Sequence, residues 1–322
     1  MRLFGWSARA DGAGNIVIGA LTAASSQAQT RAALLIARCG DYYELGKPRI
    51  MYLLLVTTVA AMFMAAHGTP PLSALAWTVL AGALAAMSAG TLNCIFDADI
   101  DARMRRTADR PIPGGRISIF AATAHACVMG VLSFAIFYLR VDPLAAWLSL
   151  TGNVFYVVVY TMWLKRRTPL NIVIGGAAGA IPPLVGWAAV THTIGAPAIG
   201  LFTIVFLWTP PHFWALALVA QNDYGAAGIP MLPNVKGTSR TRTEIVWYSV
   251  ALVAASLALF GLHVFGTLYL ATAALLGGIL IGISWRTLRS NDLRYPRLLF
   301  RFSLLYLALM CAIMVIDRIV SR

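Results

Sequence analysis

Three oxygen-bearing residues, Asn93, Asp97 and Asp101, recur at intervals of four in the run Asn93-Cys-Ile-Phe-Asp97-Ala-Asp99-Ile-Asp101. On a helix each step of four drifts by about 40°, so the three side chains form one stripe and Asp99 points elsewhere. An amide and two carboxylates that converge at the end of a long apolar run need a cation or a partner. Hard oxygens of this kind suit Mg2+, which commonly bridges one or two carboxylates to substrate phosphates. Ion pairing with nearby arginines is the alternative. It fits Asp99 with Arg103, four residues on, better than it fits the stripe.

A basic run follows at once, Arg103-Met-Arg105-Arg106-Thr-Ala-Asp109-Arg110-Pro111, with Gly114-Gly115 after it. An inner loop carries such charges for topology alone, and for Arg116 that reading suffices. Beside an acidic stripe the run has a further use. Metal takes a diphosphate from one side and guanidinium forks take it from the other. Lys165-Arg166-Arg167 adds three cations; Lys165 and Arg166 are available to the same anion, and Arg167 reads as a solvated anchor. Further on stand Thr209-Pro-Pro-His212-Phe-Trp214 and Gln221-Asn-Asp223-Tyr224. The double proline is expected to break its helix at membrane depth, which is tolerated where a cavity or neighbour satisfies the backbone. Asp223, a lone acid, reads as a helix cap, as a partner for Lys236 or as part of the site. Gly237-Thr-Ser239 reads as a flexible lid.

Apolar segments must position these groups. Of the 322 residues, 59% are hydrophobic and 11% charged; a soluble domain has about 25% charged. This excludes a disordered chain, a disulfide scaffold and an ordinary water-soluble enzyme. The four cysteines are scattered, with no CxxC and no zinc pattern. Apolar runs near 50–66, 72–96, 118–138, 143–162, 171–191, 197–218, 244–262, 268–285 and 299–316 predict an all-α polytopic transmembrane bundle of about nine helices. Gly175-Gly176 and Pro182-Pro183 mark the fifth run as closely packed and bent. Residues 1–46 are expected to form a cytoplasmic, partly disordered arm, and 47–322 the transmembrane domain.

Put the N-terminus in the cytoplasm, and 22 of the 25 Lys and Arg fall in inner segments, leaving Arg140, Arg318 and Arg322 outside. That split fits an odd number of spans and a C-terminus outside. It also accounts for the net charge of +13 without nucleic acid, the partner being a lipid bilayer. The outer connections are short and nearly uncharged, and His67, His192 and His263 in them read as solvated. His125 reads as a polar contact within the third span, and His212 as the histidine nearest the polar face.

The segments Asn93-x3-Asp97-x-Asp99-x-Asp101, Met104-x-Arg106-Thr107-x2-Arg110-Pro111, Leu164-Lys-Arg-x-Thr168-Pro169-x-Asn171 and Trp208-Thr-Pro-Pro-His-Phe-Trp214 resemble one family. Gly46-Lys47-Pro48-Arg49 and Asp223-Tyr224-x2-Ala227-Gly228-Ile229-Pro230 fit it too. It is the haem-farnesylating branch of the intramembrane UbiA-type prenyltransferase superfamily, and the likeness runs from about residue 42 to the last span. The resemblance implies nine helices around a central cavity that opens at the cytoplasmic face of a bacterial inner membrane. It implies Mg2+ as cofactor, farnesyl diphosphate and haem B as substrates, and haem O as a product for terminal oxidase assembly. A downstream haem-modifying enzyme is a further implied partner. Asn93, Asp97, Asp101 and Asp223 correspond to metal ligands, and Asp97, Asp101, Arg106 and Lys165 are expected at the chemistry. Lys47, Arg49, Arg105, Arg110, Arg166, His212 and Tyr224 are the expected substrate contacts, with His212 against haem or its propionates. Two positions depart from the pattern: Ala227 stands where the superfamily has a second Asp, and Asn222 where many relatives have a basic residue.

The physical task so implied is to ionise an allylic diphosphate inside a membrane and keep water from the cation. Phe96, Tyr156, Tyr160, Trp187, Phe206 and Trp208 are candidate cavity liners, since aromatic faces attract cations. A prenyltransferase for a quinone or chlorophyll precursor is the nearest alternative. An ion-coupled transporter would need polar groups midway through several spans, whereas here they gather at one face.

Overall fold

Each apolar run becomes a helix. The computed structural model of the protein describes residue 29 and residues 31–320. Among these, nine helices are long and apolar enough to cross a membrane: α1 Pro48–Ala66, α2 Leu72–Phe96, α3 Ile119–Val141, α4 Pro143–Arg166, α5 Asn171–Thr191, α6 Ala196–Val219, α7 Gly237–Gly261, α8 Thr267–Arg289 and α9 Arg294–Val320. No strand occurs among the described residues. Prolines at the first turns of α1, α4 and α6 set their starts, because the missing N–H would be unpaired there anyway. At the ends opposite the acidic stripe, His67, His192 and His263 turn the chain in the left-handed region, with φ of 50°, 59° and 54°. Two of the three also have partners: His192 lies 2.7 Å from Asp142, and His67 meets Arg318. Asp317 of α9 accepts from Gly266 N–H (2.6 Å) and Tyr269 N–H (3.2 Å), capping the start of α8 from a neighbouring helix.

Two expectations need correction. The double proline does not break α6, which is continuous through Pro210 and Pro211. Thr209 Oγ1 donates to Val205 O within the helix, and Trp208 Nε1 donates across to Ser303 O of α9 at 2.7 Å, so neighbours hold the weakened turn. Gly237-Thr-Ser239 is no lid; it is the first turn of α7, which begins seven residues before the apolar run at 244. The helix extends past the hydrocarbon because backbone bonding continues after the side chains turn polar. Within the predicted arm, residues 31–45 are helical, and residues 1–28 lie outside the described residues. That helix docks on the loop after α2: Arg116 binds Asp41 at 2.7 Å, and Leu45 is buried with Cys94, Ile112 and Ile117. Pro182 does interrupt α5, as Pro-Pro implies, dividing it at Ile181.

Helices in lipid associate by close packing more than by apolar burial. α1 packs on α2, on the second half of α5 and on α9, so the first and last helices meet and the bundle closes. A Cβ on Gly186 would stand 2.0 Å from Thr58 O, which is why α5 can touch the α1 backbone. α5 and α6 are the most enclosed spans, each with 61% of its apolar window buried against 17–39% elsewhere.

Candidate active site

α2 ends at Phe96, yet its hydrogen-bond ladder runs on. Asp97 N–H donates to Asn93 O at 2.9 Å and Asp101 N–H to Asp97 O at 2.7 Å. This keeps the four-residue spacing on one face through the short helix Ala98–Asp101. Asn93, Asp97 and Asp101 are 1%, 1% and 3% exposed, whereas the Asp99 side chain is 52% exposed.

Three cations from three elements meet the stripe. Lys47, just before α1, donates to Asn93 Oδ1. Lys165, at the end of α4, lies 2.5 Å from Asp97 Oδ2. Arg110, from the loop after α2, lies 2.6 Å from Asp101 Oδ2. Lys47 adopts a left-handed backbone, φ 53°, immediately before Pro48; a non-glycine residue there carries strain of the kind that collects at functional sites. Burial, with the cations Arg110 and Lys165 close by, pulls the Lys47 ammonium below its ordinary value.

Asp99 departs from expectation. Its partner is not Arg103 but Arg166, bound by two guanidinium nitrogens at 2.6 and 2.9 Å. Those hydrogen bonds hold the Asp99 carboxyl below its usual range. Arg166 also donates to Phe96 O (2.6 Å), so it ties α4 to the end of α2. Arg49, Arg105 and Arg106 are exposed at the same end of the bundle and form no ion pair within the described residues.

The second acidic loop lies beside the first. Ile100 and Met104 pack in one cluster with Tyr224, Ala227, Ile229 and Met231. Burial pushes the Tyr224 phenol up, while the nearby charges of Arg106 and Arg110 pull it back. Ala227 is 6% exposed in that apolar cluster, a place where a second Asp would be desolvated. Asp223 is half-buried and neither caps its short helix, Gln221–Ala226, nor pairs with Lys236. Its carboxylate has no hydrogen bond or ion pair among the described residues.

His212 sits inside the bundle, 6% exposed, stacked between Trp208 (4.2 Å) and Phe300 (4.5 Å), with Nδ1 2.7 Å from Ser303 Oγ. Of the candidate aromatic liners, Tyr156 and Tyr160 stack on each other at 5.4 Å. Phe206 stacks on Phe202 instead, and Trp187 packs in the main core.

Thr161 belongs to the site although its sequence context does not reveal it. Asn93 Nδ2 donates to Thr161 Oγ1 at 2.8 Å, and Thr161 Oγ1 donates to Tyr156 O at 2.9 Å. With its amide nitrogen so fixed, Asn93 turns Oδ1 toward Lys47. Thr161 lies in a π-helical stretch, Phe155–Trp163, and such wide turns recur at functional sites. The only sequence signal is a hydroxyl in an otherwise aromatic and β-branched run.

The stripe has the donor chemistry for Mg2+. Asp97 Oδ1 is buried without a hydrogen-bond partner, while Asn93 Oδ1, Asp97 Oδ2 and Asp101 Oδ2 each meet a cation. No three His, Cys, Asp or Glu side chains cluster as a self-sufficient metal centre among the described residues. A metal here would complete its shell from water and a bound anion, as Mg2+ usually does.

Similarity to known proteins gives the family. The model of the UbiA prenyltransferase family matches residues 54–309. Protoheme IX farnesyltransferase of Synechocystis sp. is 51% identical over 283 residues, covering 87% of this chain and 90% of the relative. The protein of that name from Gloeobacter violaceus is 49% identical, covering 91% and 97%. Among solved structures, one of digeranylgeranylglyceryl phosphate synthase superposes with a TM-score of 0.74 at 17% identity, over 88% of this chain and 99% of that one. A UbiA homologue from Archaeoglobus fulgidus bound to GPP and Mg2+ gives 0.62 at 16% identity, over 85% and 99%. The chain therefore belongs to the UbiA prenyltransferase family, in its protoheme IX farnesyltransferase branch.

Proposed function

We propose that the site transfers a farnesyl group from farnesyl diphosphate to a vinyl group of haem B, with addition of water, to give haem O. The observation that carries this reading is a fully buried Asn93–Asp97–Asp101 stripe faced by Lys47, Lys165 and Arg110. The shared name of relatives near 50% identity supports haem as acceptor over a quinone or chlorophyll precursor.

Asn93, Asp97 and Asp101, with Asp223 from the adjacent loop, would hold Mg2+, which would supply charge neutralisation for the diphosphate leaving group. The protein's own cations act in the same direction. Lys165 and Arg110 already lie at the carboxylates, and exposed Arg49, Arg105 and Arg106 stand at the same end of the bundle. As the C1–O bond of the farnesyl diphosphate breaks, these groups stabilise the departing negative charge where water is scarce. The bonding pair leaves with the diphosphate, and the vinyl carbon supplies the pair for the new C–C bond. Water then adds to the resulting cation and releases a proton, leaving the hydroxyl. Tyr156 and Tyr160, stacked on each other in α4, are the rings that would stabilise the allylic cation. Tyr224 and His212 remain candidate substrate contacts, the latter from inside its aromatic stack. The basic inner ends support a cytoplasmic N-terminus, an outer C-terminus and a bacterial inner-membrane location. Residues 47–322 act as one membrane domain, and its product suits a downstream haem-modifying enzyme.

The test is mass spectrometry of haem extracted from cells that make the protein. A hydroxyethylfarnesyl gain is expected with the natural chain and none with Asp97→Ala or Asp101→Ala, while both variants still insert. Haem O formed at ordinary levels by either variant rejects the proposed site.

A further inference from the structure

α7 and α8 run antiparallel along a polar seam. Ser249 Oγ meets Ser284 Oγ at 2.9 Å, and at the inner end Arg242 donates to Asn291 Oδ1 in the same register. Arg242 is 8% exposed. Its partner is a neutral amide, and its Nε has no hydrogen-bond partner at all. The two acids nearest in sequence are engaged elsewhere: Glu244 binds Arg240 at 2.5 Å and Asp292 binds Arg294 at 3.0 Å. Both acids thus serve exposed guanidiniums, and the buried one has no counter-ion among the described residues. A buried cation left in that state is strongly unfavourable unless an anion arrives from outside the chain.

The surroundings say which anion. Lys236, Arg240, Arg286 and Arg289 are exposed around the same helix ends. Trp247 and Trp285, 65% and 48% exposed, lie on α7 and α8 a little deeper in the bilayer. The offsets of five and six residues from Arg242 and Asn291 correspond to roughly 8 Å of helix. Exposed tryptophans mark the boundary between hydrocarbon and headgroups, so Arg242 stands at headgroup level. We propose that Arg242 and Asn291 bind the phosphate of an anionic phospholipid between the inner ends of α7 and α8. Basic pockets between spans on the inner side take such headgroups.

The full-length protein is purified into nanodiscs of phosphatidylcholine, with or without phosphatidylglycerol. The unfolding midpoint and the retained lipid, by native mass spectrometry, are then read. Phosphatidylglycerol is expected to raise the midpoint of the natural protein and to stay bound. Arg242→Gln should lose most of that rise, and Arg167→Gln, an exposed cation elsewhere, should keep it. Asn291→Asp gives Arg242 an internal counter-ion. It should be more stable in phosphatidylcholine alone and respond little to phosphatidylglycerol, which keeps the test decisive if Arg242→Gln does not fold. An equal response to phosphatidylglycerol in the natural protein and Asn291→Asp overturns the proposal. So does an Arg242→Gln protein that binds haem more weakly yet keeps its lipid response, because the anion would then be a substrate carboxylate.

Discussion

Asp97 and Asp99 stand two positions apart, but only Asp97 is buried, and their ion pairs should differ several-fold in worth. The Lys165–Asp97 pair has side chains 16% and 1% exposed, and the Arg166–Asp99 pair 40% and 52%. Breaking a buried pair strands a charge and costs about 3 kcal/mol or more. Breaking an exposed one is worth under about 1 kcal/mol. Lys165→Met should therefore lower the unfolding midpoint markedly and abolish turnover, while Asp99→Ala stays near the natural protein in both. Equal midpoints for the two variants would contradict the burial difference. The i, i+4, i+8 stripe was legible in sequence because one continuous helical hydrogen-bond ladder carries it from α2 into the short helix that follows. The partner of Asp99 was not, because spacing along a helix nominates Arg103 and cannot register Arg166 arriving from α4. Thr161 was hidden for the same reason, with 68 positions separating it from Asn93. Its hydroxyl fixes the amide whose oxygen meets Lys47 and is proposed to serve Mg2+, and losing one such bond costs about 1 kcal/mol. Thr161→Val should raise the Mg2+ concentration for half-maximal haem O formation roughly five-fold, and Thr161→Ser should restore it. A Thr161→Val enzyme with an unchanged Mg2+ requirement removes Thr161 from the site.

At the scale of elements, apolar run length located all nine helices but not their polar ends. α7 and α9 start at 237 and 294, beyond the hydrophobic runs at 244 and 299, because backbone hydrogen bonding continues into the headgroup region. The prolines of α5 and α6 show why residue type alone does not decide continuity. Both helices contain Pro-Pro, yet only α5 is interrupted, since α6 is clamped to Ser303 of α9 by Trp208 and His212. Close contact of α1 with α5 depends on a missing side chain. A methyl on Gly186 would collide with Thr58 O, which is backbone and cannot rotate away. Overpacking of this kind costs about 1–3 kcal/mol. Gly186→Ala should lower the unfolding midpoint by several degrees, whereas Gly179→Ala, where a Cβ meets nothing within 4 Å, should not. Similar midpoints for the two would mean that α1 and α5 are not in backbone contact.

Over the whole molecule, charge and connectivity give one answer. α9 meets α1, so the bundle closes and its two ends become distinct surfaces. The pairs Lys47–Asn93, Arg110–Asp101 and Lys165–Asp97 join four parts of the chain at one end of the bundle. That end also holds the loops that carry most of the Lys and Arg, while the other end is turned by His67, His192 and His263. Basic loops stay on the cytoplasmic side during insertion, and an anionic substrate is drawn to the end they enrich. The proposed topology and the proposed catalysis thus draw on the same charges. Thiol labelling can separate this orientation from its inverse. Cys39 is exposed on the helix that docks beside the site, and Cys127 is exposed along α3. In a Cys127→Ser background, an impermeant maleimide added to intact cells should spare Cys39 until the membrane is opened. A cysteine introduced by His263→Cys at the opposite end should react at once. Labelling of Cys39 from outside would place the acidic stripe on the outer face, where the basic loops would have had to cross the membrane during insertion.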